Sequence, residues 1–396
     1  MMGLVFESDA VRQNPTITAT HVLLVGCGEY PSLAAAGYGG LKSLRSPRLS
    51  AGAMADWFLS GADAMPAGQQ LPPDLAFHNP DAPLGSLVML TSPADPYEAP
   101  SGTVSPTTRP TLANIKAAYI QWLSRLGANP NSRGVFHFCG HGVSDGVSQF
   151  LVADDFGEDP DDLWQGVFHV SNTCQASIRK TSASLTFLID ACMELSEELI
   201  NQIDGPRALI GGRRNGAPQT TEWAVLRATT TSRLAYAPPD GVARFTAALL
   251  QALQGHCGSQ DTAGPGYGVG VSDLRDAAAA LLTLSQQAER GERQKLGQTE
   301  GEGNWNVPMH VQTRRPSVVV ELDIEPEGYR PVARAFMEDA AKLRDVKTLA
   351  AGPARFVKEQ GEWTYGTNAM NNEYGEQVIT RRFLTKAVFT SRFVIP

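Results

Sequence analysis

The sequence predicts an α/β protein: a mainly parallel sheet flanked by helices, followed by a small, mostly β module at the C-terminus. Three observations carry this. The apolar runs "HVLLVG" (21–26), "GVFHFC" (134–139) and "SLTFLI" (184–189) are unbroken rather than alternating, as strands covered on both faces require. Segments of helical spacing separate them, the pattern of parallel strands joined by crossovers. From residue 316 the composition changes to alternating β-type segments, beginning with "SVVVELDI".

Residues 1–20 are expected to be an N-terminal extension, loose or packed. The strand "HVLLVGCGEY" (21–30) runs into a Gly-rich turn, and "LSAGAMADWFLSG" (49–61) carries apolar residues at helical spacing up to Gly61. Residues 62–110 are rich in Pro, Ala and Gly around one short strand, "SLVMLTS". "TLANIKAAYIQWLSRLG" (111–127) is the clearest helix. Thr111 can cap it, Leu112, Ile115, Ala118, Tyr119 and Trp122 share a face, and Gly127 stops it. "SQFLVADD" looks like a strand, and an acidic loop follows it. After "SLTFLIDAC" (184–192), "RALIGG" and "WAVLRATTT" add apolar segments, and "GVARFTAALLQALQG" (241–255) adds a helix. This main domain spans 21–310, with a core over 21–255 and a helical and polar-linker extension over 256–310. Residues 316–396 form the β-rich module, in which Val318, Val320, Leu322 and Ile324 mark a half-buried antiparallel strand.

With 396 residues, 42% of them hydrophobic, the chain can bury a sizeable core. A net charge of -8 and a pI near 5.5 argue against a nucleic-acid-binding face. The N-terminus lacks a basic region followed by an apolar stretch, and no run is long enough to cross a bilayer, so a cytoplasmic protein without membrane partners is expected. The five cysteines are odd in number and scattered, unlike a disulfide framework. "HFCGH" offers His137, Cys139 and His141 on one strand without a second ligand cluster, so no metal site is expected.

Two catalytic signatures meet in "FHFCGHGVSDG" (136–146). Gly142–Gly146 matches G-x-S-x-G, which would make Ser144 a hydrolase nucleophile, with Asp190 and His256 or His310 as partners. That motif needs a helix directly after the serine, and "VSQFLVADDFG" is β-like. The second signature pairs His141 with Cys192. Each stands just past an apolar strand, at the carboxyl ends where sites in parallel sheets lie. His141 precedes Cys192 by 51 residues. A thiol becomes a strong nucleophile beside an imidazole that takes its proton. The amides of Gly142 and Cys192 could form an oxyanion hole, and a glycine there allows close approach. The other cysteines are explained as core.

The pattern resembles the caspase-like cysteine peptidases, the superfamily of caspases and metacaspases, over roughly residues 20–255. It rests on "HVLLVGCGEY", "FCGHG", "FLIDAC" and "LRATTTSRLAYAPPDGVARFTAALL". The resemblance implies His141 as general base and acid and Cys192 as nucleophile. Asp190, two residues before the cysteine, is similar to the acidic S1 residue of basic-specific members, implying cleavage after Arg, then Lys. The competing role for Asp190 is to cap a helix in "MELSEELI". A second pocket acid is missing, since Ser50 falls about where it would stand; Glu29 is a spare acid near the first strand end. Glu194 replaces the small residue common after the cysteine.

The resemblance also implies a precursor cut within 193–222, where Arg213 and Arg214 in "GGRRNG" offer a site. An activating protease or regulatory protein would then be a partner. Regulatory calcium is the one metal it brings up, through Asp154, Asp155, Glu158, Asp159, Asp161 and Asp162. Their order lacks the EF-hand pattern, so a solvated loop and no cofactor are expected. The alternative from another class is a catalytically silent caspase-like scaffold.

Overall fold

The computed structural model describes residues 3–32, 42–61, 64–66, 68–159, 161–162, 164–195, 206–212, 222–230, 235–238, 240–260, 266–287 and 293–395. Its centre is a seven-stranded sheet. In chain order the strands are β1 (Leu4–Glu7), β2 (Thr20–Cys27), β3 (Leu84–Ser92), β4 (Arg133–Gly140), β5 (Ser184–Ala191), β6 (Trp223–Arg227) and β7 (Glu300–Glu302). Their spatial order is β1-β3-β2-β4-β5-β6-β7. β2 to β6 run parallel, whereas β1 and β7 are antiparallel edges.

The unbroken apolar runs follow from two covered faces. Leu23, Val25, Phe136, Phe138 and Phe187 point to one layer, where the helix Leu112–Leu126 supplies Ile115, Tyr119 and Trp122. Val22, Leu24, Val135, Leu188 and Leu226 point to the other. There the chain packs three helices, Ser46–Leu59, Arg244–Gln251 and Val271–Ser285. Alternate residues of one strand thus enter different cores. Trp122 shows how tight the first layer is: it is 2% exposed, its indole N–H donates to the His21 carbonyl at 2.9 Å, and it meets Phe136 and Phe187.

Local chemistry sets the helix ends. The Thr111 hydroxyl accepts the Asn114 amide at 3.2 Å, the N-cap that its sequence position suggests. The Asp155 carboxylate takes the Leu112 amide of the same end at 2.9 Å. The Arg244–Gln251 helix has Ala243 at its N-cap and no cap from its own segment, so its exposed amides need acceptors from elsewhere. Two side chains across space supply them: Ser50 accepts the Ala243 amide, and Asp190 accepts the Thr246 amide, both at 3.0 Å.

The N-terminal extension is packed, because Leu4–Glu7 pairs with β3 at the edge of the main sheet. Two expectations need correction. The polar stretch around Gly297–Asn306 contains β7, whose Gly301 lies so close to the Trp223 carbonyl that a Cβ would collide with it. Ser317–Glu325 is a central strand, pairing antiparallel with Ala354–Glu359 and parallel with Val388–Val394. Its second face is buried too: Val319 joins the core of the main domain, while Glu321 and Asp323 are covered by ion pairs with Arg355 and Arg330. The remaining strands, Ala333–Glu338, Arg344–Thr348, Gly361–Ala369 and Gln377–Leu384, form a second sheet, and a separate core lies between the two. Among the described residues no helix is long and apolar enough to cross a membrane.

Candidate active site

β4 and β5 pair in register from Ser184–Arg133 to Ala191–Gly140. His141 and Cys192 are each the next residue, so the two stand side by side on adjacent strand ends, about 4.8 Å apart in backbone spacing. Both are half-buried.

His141 is anchored at three points. Its amide donates to the Tyr30 hydroxyl at 2.9 Å, and that hydroxyl donates to the Cys27 carbonyl, also at 2.9 Å. The Tyr30 ring packs against the imidazole with centroids 4.9 Å apart. Nε2 lies 2.7 Å from the Lys42 carbonyl oxygen. A carbonyl only accepts, so that contact assigns the proton to Nε2 in the neutral ring and makes Nδ1 the nitrogen that can take a proton. Tyr30 and Lys42 were not legible as site residues. Lys42 acts through its backbone, which leaves no mark on residue type.

Beyond His141 the chain enters a hairpin of Gly142–Ser144 and Gln149–Val152. The Val152 amide donates to the His141 carbonyl at 3.1 Å, which makes Gly142 and Leu151 a non-hydrogen-bonded pair. The Gly142 amide therefore faces away from that partner. A Cβ on Gly142 would collide with the Cys192 carbonyl oxygen, so glycine is required for this approach. The geometry also excludes the serine elbow. Ser144 is fully buried, its hydroxyl accepts the Gly146 amide at 3.0 Å, and a strand rather than a helix follows. His256 and His310, its suggested partners, bond instead to the Ser317 and His78 carbonyls.

The Cys192 sulfur accepts the Ala235 amide at 3.2 Å, a donor suited to a thiolate. The Tyr236 amide next to it rests on Gln294 Oε1 at 3.0 Å. Behind the cysteine, Gln149 Nε2 donates to the carbonyls of Ala191 and Cys192 at 3.2 and 3.1 Å. Gln149 Oε1 in turn accepts from Arg227 Nε at 3.2 Å, and Arg227 is held by Glu300 at 2.6 Å and by Ser171 at 3.2 Å. A buried cation is tolerated here because a carboxylate and two neutral acceptors surround it. The peptide of the candidate nucleophile is thus tied through two side chains to edge strand β7. None of this was visible in the sequence, where Gln149, Arg227 and Glu300 lie far apart.

Asp190 faces the layer of three helices and is 3% exposed. Oδ2 accepts both the Thr246 amide at 3.0 Å and the Thr246 hydroxyl at 2.6 Å. Oδ1 has no hydrogen bond among the described residues. Burial pushes the Asp190 carboxyl up to about 6, and the two Thr246 donors pull in the opposite direction. Asp190 caps the Arg244–Gln251 helix; residues 196–200 of the segment it was expected to cap lie outside the described residues. Ser50 sits on the same side, committed to the Ala243 amide.

Of the acidic loop, Asp154 pairs with Arg109 at 3.0 Å and Asp155 caps a helix. Among the described residues no group of three His, Cys, Asp or Glu is arranged to hold a metal. Arg213 and Arg214 lie outside the described residues.

The family model described as "Caspase domain" matches residues 19–264. A protein of Sinorhizobium fredii (strain NBRC 101917 / NGR234), "Uncharacterized protein y4kE", is 60% identical over 336 residues, covering 85% of this chain and 97% of that one. Caspase-1 from Spodoptera frugiperda overlays with a TM-score of 0.39 at 12% identity, over 74% of this chain and 89% of that chain. The chain belongs to the caspase-domain family of cysteine peptidases.

The thiols differ in a way that alkylation can read. Cys27, Cys139, Cys174 and Cys257 are buried, and burial raises each of them above the ordinary thiol range. Iodoacetamide on the native protein is expected to modify Cys192 first, at least about tenfold faster than any other thiol. Peptide mass mapping over time checks this, and equal rates at two or more sites would contradict it.

Proposed function

We propose that the chain is a cysteine endopeptidase that cleaves peptide bonds after basic residues. The observation that carries this reading is the β4–β5 register, which sets an anchored His141 beside Cys192 at the carboxyl end of the sheet. In this scheme the Cys192 proton passes to His141 Nδ1 and the thiolate attacks the scissile carbonyl. The amides of Gly142 and Cys192 receive the oxyanion; one such donor is worth about 3 kcal/mol in related chemistry. The imidazolium then protonates the leaving amine, and the acyl group remains on sulfur. Water, giving its proton to Nδ1, hydrolyses that thioester and returns the free thiol. Each step uses groups of this chain and water.

Asp190 provides the basis for basic specificity. It is a carboxylate two residues before the nucleophile, with one oxygen not engaged by the described residues, in surroundings where a desolvated cation gains most. Its neighbours on β4, His137 and Cys139, carry no opposing charge: burial holds His137 down to about 3 and keeps the Cys139 thiol protonated. The physiological partner under this reading is a peptide or protein with Arg or Lys at the cleaved position.

The test uses fluorogenic peptides ending in Arg, Lys or Asp. Turnover of the basic peptides is expected, with Cys192→Ala and His141→Ala each lowering kcat/KM by at least about a thousandfold. Turnover of the Asp peptide alone would remove the role of Asp190 and keep the nucleophile. Turnover that survives Cys192→Ala would overturn the mechanism, and a chain inert toward every peptide would fit the scaffold alternative. We also propose that the precursor is cut at Arg213–Arg214. Changing both to Ala should then abolish a fragment pair seen on gels of the purified protein, and persistence of the pair would contradict it.

A further inference from the structure

Thr246 links two buried polar side chains of neighbouring strands. Its hydroxyl lies 2.6 Å from Asp190 Oδ2 and 3.0 Å from His137 Nε2. A hydroxyl has one proton. With that proton on the short bond to the carboxylate, His137 must donate from Nε2, which assigns its tautomer. Nothing charged is needed to hold this chain: His137 is fully buried, its Nδ1 has no partner among the described residues, and burial keeps the ring neutral. The rotor of Thr246 is therefore fixed, and its amide, the third of its helix, donates to the same Asp190 oxygen at 3.0 Å.

The consequence is an asymmetric carboxylate. Both lone-pair directions of Oδ2 are occupied by protein donors, and only Oδ1 is left for a ligand. A guanidinium fork gains its advantage over an ammonium by meeting both oxygens of a carboxylate at once. That arrangement is closed here. A primary ammonium needs one oxygen and completes its shell with other acceptors.

We infer that Thr246 is a specificity-determining residue: by saturating Oδ2 it makes Asp190 a one-oxygen cation acceptor that takes lysine about as well as arginine. The inference rests on Asp190 lining the pocket for the cleaved residue, and it replaces the arginine preference expected from bidentate pairing alone. Thr246 acts through Asp190 and is a positioning residue, not a catalytic one.

The experiment compares kcat/KM for two fluorogenic peptides identical except for a terminal Arg or Lys. The Arg/Lys ratio for the wild-type chain is expected within about threefold of one. Thr246→Val keeps the shape and the amide but removes the hydroxyl, which frees one acceptor direction on Oδ2. The ratio should then rise about tenfold in favour of Arg, while Thr246→Ser should restore the wild-type ratio. A fold defect would lower both rates together without moving the ratio. A ratio that stays put in an active Thr246→Val chain overturns the inference and leaves the proposed function standing.

A second readout does not need turnover. n-Butylguanidinium and n-butylammonium are compared as protectants of Cys192 against iodoacetamide. Similar protection in wild type, shifting toward the guanidinium in Thr246→Val, supports the inference. Protection by neither cation overturns the Asp190 pocket and this inference together.

Discussion

The register between β4 and β5 is the constraint on which the rest of the site depends. Strand side chains alternate, so a pairing shifted by one residue would turn one strand's core-facing set to the opposite layer. In the observed register Cys139 lies beside Asp190 and Gly140 beside Ala191, so the next residues, His141 and Cys192, emerge together. The same alternation sends His137 and Asp190 toward the helix that carries Thr246. Two cores hold the pairing in place: Phe136, Phe138 and Phe187 lock one face, and Val135 and Leu188 lock the other.

Around this pair the protein uses backbone more than side chain. A carbonyl orients the imidazole, a tyrosine hydroxyl holds the histidine amide, and a loop amide meets the sulfur. The side chains that contribute stand one step back. Gln149 grips the successive carbonyls of Ala191 and Cys192, and Arg227 and Glu300 keep it aligned. A polar network of this kind stabilises one arrangement when every member is partnered, and it is costly when one is removed. Asp190 closes a helix end with Oδ2, and its Oδ1 has no hydrogen bond among the described residues.

The sheet was legible because burial on both faces forces unbroken apolar runs, as in "HVLLVG" and "SLTFLI". The Thr111-capped helix was legible because its cap, stripe and stop are all local. His141 and Cys192 could be found because each stands directly past such a run. What the sequence hid was non-local or carried by backbone. β7 lies in a polar, glycine-containing stretch with no alternation, and its pairing depends on Gly301 approaching Trp223. The G-x-S-x-G match at Ser144 is a hairpin strand running into its turn, and the strand-like segment after it speaks against an elbow. Asp190 was expected to act nearby in sequence or in a pocket, yet its helix partner stands more than fifty residues away. The alternation in Ser317–Glu325 predicts a half-buried strand because Glu321 and Asp323 look exposed, whereas Arg355 and Arg330 cover them.

The claim that His141 activates Cys192 is tested most directly by the pH dependence of Cys192 alkylation by iodoacetamide, with and without His141. An imidazole that takes the thiol proton keeps the sulfur reactive below the range where an ordinary thiol ionises. The account predicts that His141→Ala slows modification of Cys192 at least about tenfold near pH 6.5 and leaves the rate near pH 9.5 almost unchanged. Superimposable profiles for the two proteins would contradict it, and Cys192 would then be an accessible thiol at a strand end with no partner in catalysis.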